Sequence, residues 1–146
     1  YKNIEDGDTF DLGGVVLEAI AVPGHTKGSM CFVNRAEQYV LTGDTIVPTP
    51  WLWIDRCTPI AEYVAAVRRF REMTSGMNTF YCGHSLTALP GSTVDDIIAA
   101  GEDIIAGRIA EDIPFIVPFK SIDTTGMDVM QHKHGSVCII YNRNRL

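Results

Sequence analysis

Short apolar runs alternate with polar turns through the first third of the chain, and the spacing changes to a helical period after residue 58. Thr9 to Leu12 and Val15 to Val22 read as strands parted by Gly13-Gly14, with Asp6-Gly7-Asp8 forming the turn before them. Further strands are predicted over Met30 to Val33 and Tyr39 to Leu41, on either side of a polar turn at Asn34 to Glu37. From Val47 to Cys57 the pattern is irregular, which predicts a loop long enough to overhang a site. Thr58-Pro59 predicts a helix start, because threonine can cap and proline is tolerated at the first helical position. Ile60, Tyr63, Val64, Val67 and Phe70 then recur at helical spacing, and the helix is expected to end near Gly76. A strand from Thr79 to Cys82 follows. Ser92-Thr93-Val94-Asp95 has capping-box spacing, and Val94, Ile97, Ile98, Ile104 and Ile105 continue the apolar face of a second helix, with Gly101 in the same stripe. Pro114 and Pro118 break up the next apolar run, and Met127 to Met130 and Val137 to Tyr141 predict a final hairpin. Strands, then helices, then strands predict a layered α/β or α+β fold, with two helices covering a mixed, mostly antiparallel sheet.

A chain of 146 residues with 46% hydrophobic side chains can fill one core, so a single globular unit spanning 1–146 is expected. Twelve basic against eighteen acidic residues give a net charge of −6. The basic residues are scattered except for Arg68-Arg69-Phe70-Arg71, which reads as a solvated helix face, so no nucleic-acid surface is expected. No apolar stretch reaches the roughly 20 residues that span a bilayer, and no secretory signal pattern is present, so no membrane partner is expected. Cys31, Cys57, Cys82 and Cys138 are far apart and form no Cys-x-x-Cys pair, which favours a reduced, cytoplasmic setting. Cys82 would share a strand face with His84 but reads as core. The chain opens on Tyr1 rather than methionine, and a piece of a longer protein is expected.

Three apolar runs end in glycine followed at once by a residue of metal-ligand type: Pro23-Gly24-His25-Thr26, Leu41-Thr42-Gly43-Asp44 and Tyr81-Cys82-Gly83-His84. A strand that stops at glycine lets the backbone turn sharply, so the next side chain can project into a crevice at the sheet edge. His25, Asp44 and His84 are therefore candidate ligands, and imidazole with carboxylate suits zinc, iron or manganese. Trp51, Leu52 and Trp53 either form an apolar wall for a substrate or pack beneath a helix. His132-Lys133-His134 reads as a polar hairpin turn rather than a metal site.

These motifs resemble the second half of the metallo-β-lactamase superfamily, a set of metal-dependent hydrolases that includes glyoxalase II. Pro23-Gly24-His25-Thr26-Lys27-Gly28-Ser29 resembles its Pro-Gly-His-Thr-x-Gly-Ser loop, Thr42-Gly43-Asp44 its Thr-Gly-Asp, and Gly83-His84-Ser85 its terminal Gly-His, in matching order over roughly the first 110 residues. The resemblance implies one half of an αββα sandwich: one sheet, two covering helices and tail strands. It makes His25 a ligand of a first metal ion, Asp44 the carboxylate bridging two ions and the catalytic carboxylate, and His84 a ligand of the second. Thr26 and Ser85 become candidates for orienting those ligands. The family's His-x-His-x-Asp-His motif is absent, since His132-Lys133-His134 runs on into Gly135, Ser136 and Val137. The implied parent is a dinuclear hydrolase, zinc being the first expectation, acting on an ester, thioester or lactone of small-molecule size. Asp44 stands where many antibiotic-degrading members carry cysteine, which tilts away from a β-lactamase. The isolated chain is expected to be inactive, completed by a missing N-terminal half or by a homodimer. The rival expectation is a non-catalytic half-domain that self-associates through its exposed sheet face, and a di-iron oxidoreductase is a minor option.

Overall fold

The computed structural model describes residues 3–146; Tyr1 and Lys2 lie outside the described residues. Five strands form the larger sheet: β1 (Thr9–Asp11), β2 (Val16–Ala21), β3 (Met30–Asn34), β4 (Tyr39–Gly43) and β6 (Phe80–Cys82), in the order β1-β2-β3-β4-β6. Its first four strands run antiparallel to their neighbours, and β6 joins β4 in parallel. Between them lie β5 (Trp51–Leu52) and helix α1 (Ile60–Met73), and helix α2 (Ser92–Ile105) follows β6. The chain then adds β7 (Ile113–Pro114), β8 (Val129–His134) and β9 (Val137–Asn142). These three and β5 form a second sheet in the order β5-β9-β8-β7.

Period-two alternation decides which face of the larger sheet is covered. Ile20, Cys31, Val33, Val40 and Phe80 are fully buried, and the Phe70 ring of α1 meets Phe80 edge-on at 6.0 Å. The opposite face carries the register row Ala19, Phe32, Leu41 and Tyr81, with Leu41 38% and Tyr81 48% exposed. α1 presents the expected stripe Ile60, Tyr63, Val64, Val67 and Phe70 to the core. α2 packs against α1 at Gly101, where a Cβ would overlap Val64, and against β8 and β9 on its other side.

The layered α/β expectation holds, with mixed strand directions and a C-terminal hairpin. The hairpin is not an isolated tail, because Trp51–Leu52 pairs in parallel with Ile140 and Tyr141 while Ile113–Pro114 closes the other edge. The loop expected from Val47 to Cys57 thus contains a short strand. Other local expectations need correction. Thr58 does not cap α1: the N-cap is Pro59, and the buried Thr58 hydroxyl has no partner among the described residues. The capping box at Ser92 does not form: Ser92 is already the first helical residue, the N-cap is Gly91, which has no side chain to cap with, and Asp95 instead takes a two-pronged pair with Arg71 at 2.9 Å on both oxygens. Ile105, expected on the apolar face, is exposed. His132 and His134 lie within β8 rather than in the turn, which falls at Gly135 and Ser136. Arg68 and Arg69 lie on an exposed face and Arg71 is half-buried; they pair with Glu102, Asp6 and Asp95. All four cysteines are free, and Cys82 is half-buried against the core. Among the described residues no helix is long and apolar enough to cross a membrane.

Candidate active site

Each of the three glycines named in the sequence does a different steric job. Gly24 lies against the ring of Tyr63, where any Cβ would overlap the aromatic carbons, so the turn before His25 rests directly on α1. Gly43 adopts φ +53°, and the β4–β6 register shifts between Leu41 and Gly43. Such an irregularity at a strand end re-aims the next side chain, here Asp44. Gly83 donates its N–H to the Gly43 carbonyl at 2.9 Å, and a Cβ on it would lie 2.8 Å from Asp44 Oδ1. Backbone therefore approaches carboxylate closely, and His84 follows with its Nε2 3.2 Å from that same Oδ1.

His25 is oriented from behind. Its Nδ1 donates to the Trp51 carbonyl at 3.1 Å, which leaves Nε2 as the nitrogen with a free lone pair. The Cys57 thiol donates to the carbonyls of His25 at 3.2 Å and Trp51 at 3.3 Å, and the Thr58 N–H reaches Gly24 O at 2.9 Å. Tyr63 completes the frame by donating its hydroxyl to Thr45 O at 2.6 Å, beside Asp44. Burial pushes both the Cys57 thiol and the Tyr63 phenol above their ordinary pKa values, so both stay protonated and act as donors. The Thr42 hydroxyl contacts the carbonyls of Ile46 at 3.0 Å and Tyr81 at 3.2 Å, tying the end of β4 to β6.

All three sequence-named side chains open on one cavity of about 640 Å³, bounded on its other side by Trp51, Arg56 and Phe119. Asp44 and His84 are in contact, and His25 reaches the cavity from the opposite loop. Among the described residues no three histidine, cysteine, aspartate or glutamate side chains close around one ion position. The site is open: the Asp44 side chain is 50% and that of His84 74% exposed. Thr26 and Ser85 do not orient the candidate ligands, because Thr26 pairs with Ser29 at 2.9 Å and Ser85 donates to Thr87 O at 2.7 Å. The two readings of the tryptophan segment divide residue by residue. Trp51 lines the cavity, Leu52 joins the main core, and Trp53 is buried in a second cluster with Val129 and Ile140.

Sequence reading missed Tyr63 and Cys57 as frame residues and Arg56 and Phe119 as lining. Tyr63 had an apolar-stripe signal that announced burial, and nothing local marks the destination of its hydroxyl. His132 and His134 stand apart from this cavity. Their Nδ1 atoms meet Asp112 Oδ1 at 2.7 Å and Asp103 Oδ2 at 2.8 Å, fastening β8 to the segment after α2 and to α2 itself.

A zinc-dependent hydrolase described as probable in polyketide biosynthesis, BaeB of Bacillus velezensis, is 31% identical over 97 residues, covering 65% of this chain and 42% of the relative. A hydroxyacylglutathione hydrolase of Mesorhizobium japonicum is 30% identical over 86 residues, covering 59% of this chain and 33% of the relative. The chain thus spans less than half the length of these curated relatives. The solved structure of ETHE1 from Myxococcus xanthus shares the fold at a TM-score of 0.58 and 20% identity, over 76% of this chain and 52% of that one. The family model for the metallo-beta-lactamase superfamily matches residues 1–114, more than three quarters of the sequence, and the chain belongs to that superfamily.

Proposed function

We propose that the protein is a metal-dependent hydrolase of an ester, thioester or lactone, to which this chain contributes His25, Asp44 and His84 as metal ligands. One observation carries the reading: three glycine-hinged loops deliver these side chains to a single cavity. The spacing of one pair, Asp44 and His84, fits a shared cation. Two ligands on one ion with bonds of about 2.0–2.1 Å stand roughly 3–3.4 Å apart, and Asp44 Oδ1 and His84 Nε2 are separated by 3.2 Å. A ligating imidazole is usually oriented by a hydrogen bond from its other nitrogen, as Trp51 O provides for His25. Names of relatives such as zinc-dependent hydrolase and hydroxyacylglutathione hydrolase point the same way.

His25 would offer Nε2, His84 would offer Nε2, and Asp44 would offer two oxygens able to span a pair of ions, zinc first and iron or manganese as alternatives. The chemistry such ions supply is acidification of a water molecule and polarisation of the scissile carbonyl. The chain's own residues supply position. Trp51 O holds the His25 ring and Cys57 its backbone carbonyl, Gly83 leaves room for the Asp44 carboxylate, and Trp51 and Phe119 give the cavity an apolar wall.

The test takes the full-length protein, measures bound metal by mass spectrometry, and assays ester, thioester and phosphodiester hydrolysis with zinc, manganese or iron. We expect one acyl class to be hydrolysed and Asp44→Asn to reduce that rate at least about a hundredfold, the upper end of what losing even a ligand's supporting partner costs. Full loading with no hydrolysis of any class overturns the reading.

The bare face of the larger sheet favours a second reading, a non-catalytic half-domain that self-associates. Phe32, Leu41 and Tyr81 form an apolar row that a homodimer or an upstream half would cover. Light scattering decides it: a monomer at high concentration removes the homodimer.

A further inference from the structure

The cavity wall facing the candidate ligands is not uniformly apolar. Trp51, Phe119 and Ile122 supply hydrocarbon, and the Trp51 and Phe119 rings meet edge-on at 5.7 Å. Among them stands one guanidinium, Arg56, the only lysine or arginine on the cavity lining among the described residues. Among the described residues every other arginine is engaged: Arg35 with Glu18, Arg68 with Glu102, Arg69 with Asp6, Arg71 with Asp95, Arg108 with Asp103, Arg143 with Asp128, and Arg145 with the Ile54 and Cys57 carbonyls. Arg56 has no carboxylate within ion-pair distance among the described residues.

Its loop is nevertheless built. The Cys57 N–H closes a turn onto Ile54 O at 3.0 Å, and Arg145 from the C-terminal turn donates to the carbonyls of both Ile54 and Cys57. Cys57 is held in turn to His25 and Trp51. The guanidinium is thus carried on a turn tied to the same frame as His25. A planar cation with five donors is suited to a two-oxygen anion, and apolar surface beside it suits a hydrocarbon chain.

We propose that Arg56 selects an anionic substrate: an apolar acyl chain lies along Trp51, Phe119 and Ile122 while a carboxylate or phosphate borne by the same molecule pairs with the guanidinium. This rests on the hydrolase reading of the cavity and names its substrate class, an amphipathic anionic ester or thioester. Arg56 is a specificity residue and takes no part in bond breaking.

The test is calorimetric titration of the full chain in metal-stripped buffer at pH 8, where ordinary imidazole is neutral, with decanoate, decyl phosphate and uncharged decanamide. Both anions are expected to bind about fivefold tighter than decanamide, a preference that shrinks with added salt, since an exposed charge pair is screened. Arg56→Gln should erase the preference and leave decanamide affinity unchanged. If decanoate alone is preferred the site is a carboxylate site, if decyl phosphate alone it is a phosphate site, and either supports the proposal. Equal affinity for all three probes, no binding of any, or a preference that survives Arg56→Gln overturns it. Failure is separable from failure of the hydrolase reading: an inert, fully loaded protein that keeps the Arg56-dependent preference loses only its chemistry. Hydrolysis without the preference removes only this assignment.

Discussion

Tyr63→Phe isolates a single hydrogen bond at the joint between two of the site's three loops. The hydroxyl donates to Thr45 O at 2.6 Å, both residues are buried, and the ring that supports Gly24 stays in place. Removing the donor forfeits a net hydrogen bond and strands a carbonyl out of reach of water, so the loss is about 1–2 kcal/mol. For a chain of this size each kcal/mol moves the melting midpoint roughly 2–4 °C, which predicts a fall of about 2–8 °C. Thermal melts followed by circular dichroism, with urea midpoints at unchanged slope, measure it. The same variant should weaken zinc uptake by the full-length protein, because Thr45 follows Asp44 directly. Tyr63→Ala provides the contrast: it also removes the ring under Gly24 and should cost about 3–5 kcal/mol, the range for emptying an aromatic site. A Tyr63→Phe protein that melts within about 1 °C of the parent would refute the reasoning, since a buried orphaned carbonyl cannot be that inexpensive.

Gly101→Ala places a methyl group into Val64, so an overpacking cost of about 1–3 kcal/mol should outweigh a helix-propensity gain of about 1 kcal/mol, and Val64→Ala should rescue it in a double mutant. Urea midpoints of the two single mutants and the double mutant check this, and strict additivity would count against the contact. The hydrogen bond from His134, then that from Arg108, holds the Asp103 carboxyl below the ordinary carboxylate pKa. Its stabilising contribution is therefore complete above the unfolded value of about 4 and fades as pH falls through the lower folded value. The stability gap between parent and Asp103→Asn should be widest near neutral pH and close in strong acid; a gap independent of pH sinks this assignment.

Features carried by local chemistry were legible in the sequence. Gly24, Gly43 and Gly83 each announced a turn, and the residue after each lines the cavity, because the constraint and the side chain it aims are adjacent in the chain. The α1 stripe was legible for the same reason: periodicity is local, and all five of its named residues are buried. Features set by distant partners were not. Trp51–Leu52 is too short to show a period, and it becomes a strand only because β9 lies beside it. The spacing Ser92 to Asp95 fits a capping box, but a two-pronged guanidinium partner 24 residues away captures the carboxylate. His132 and His134 resemble turn residues until Asp112 and Asp103 arrive from other segments to satisfy them in a strand.

The same distinction between near and distant restraint runs through the site itself. His25 is held from several directions: its ring by Trp51 O, its own carbonyl by Cys57, and the preceding Gly24 by the Tyr63 ring and the Thr58 N–H. Even the C-terminal turn contributes, since Arg145 grips the loop that carries Cys57. His84 has no comparable support. Its side chain is 74% exposed, and its contact is with Asp44, itself half exposed. An exposed contact of this kind adds little stability, because water competes for both groups and the side chains lose rotamer freedom in holding one geometry. Within this chain, the His25 side of the cavity is therefore preorganised and the Asp44–His84 side is adjustable. Ordering that second side must come from whatever the carboxylate and imidazole bind, and ligand binding should stiffen the loop at Gly83-His84 far more than the loop at Gly24-His25.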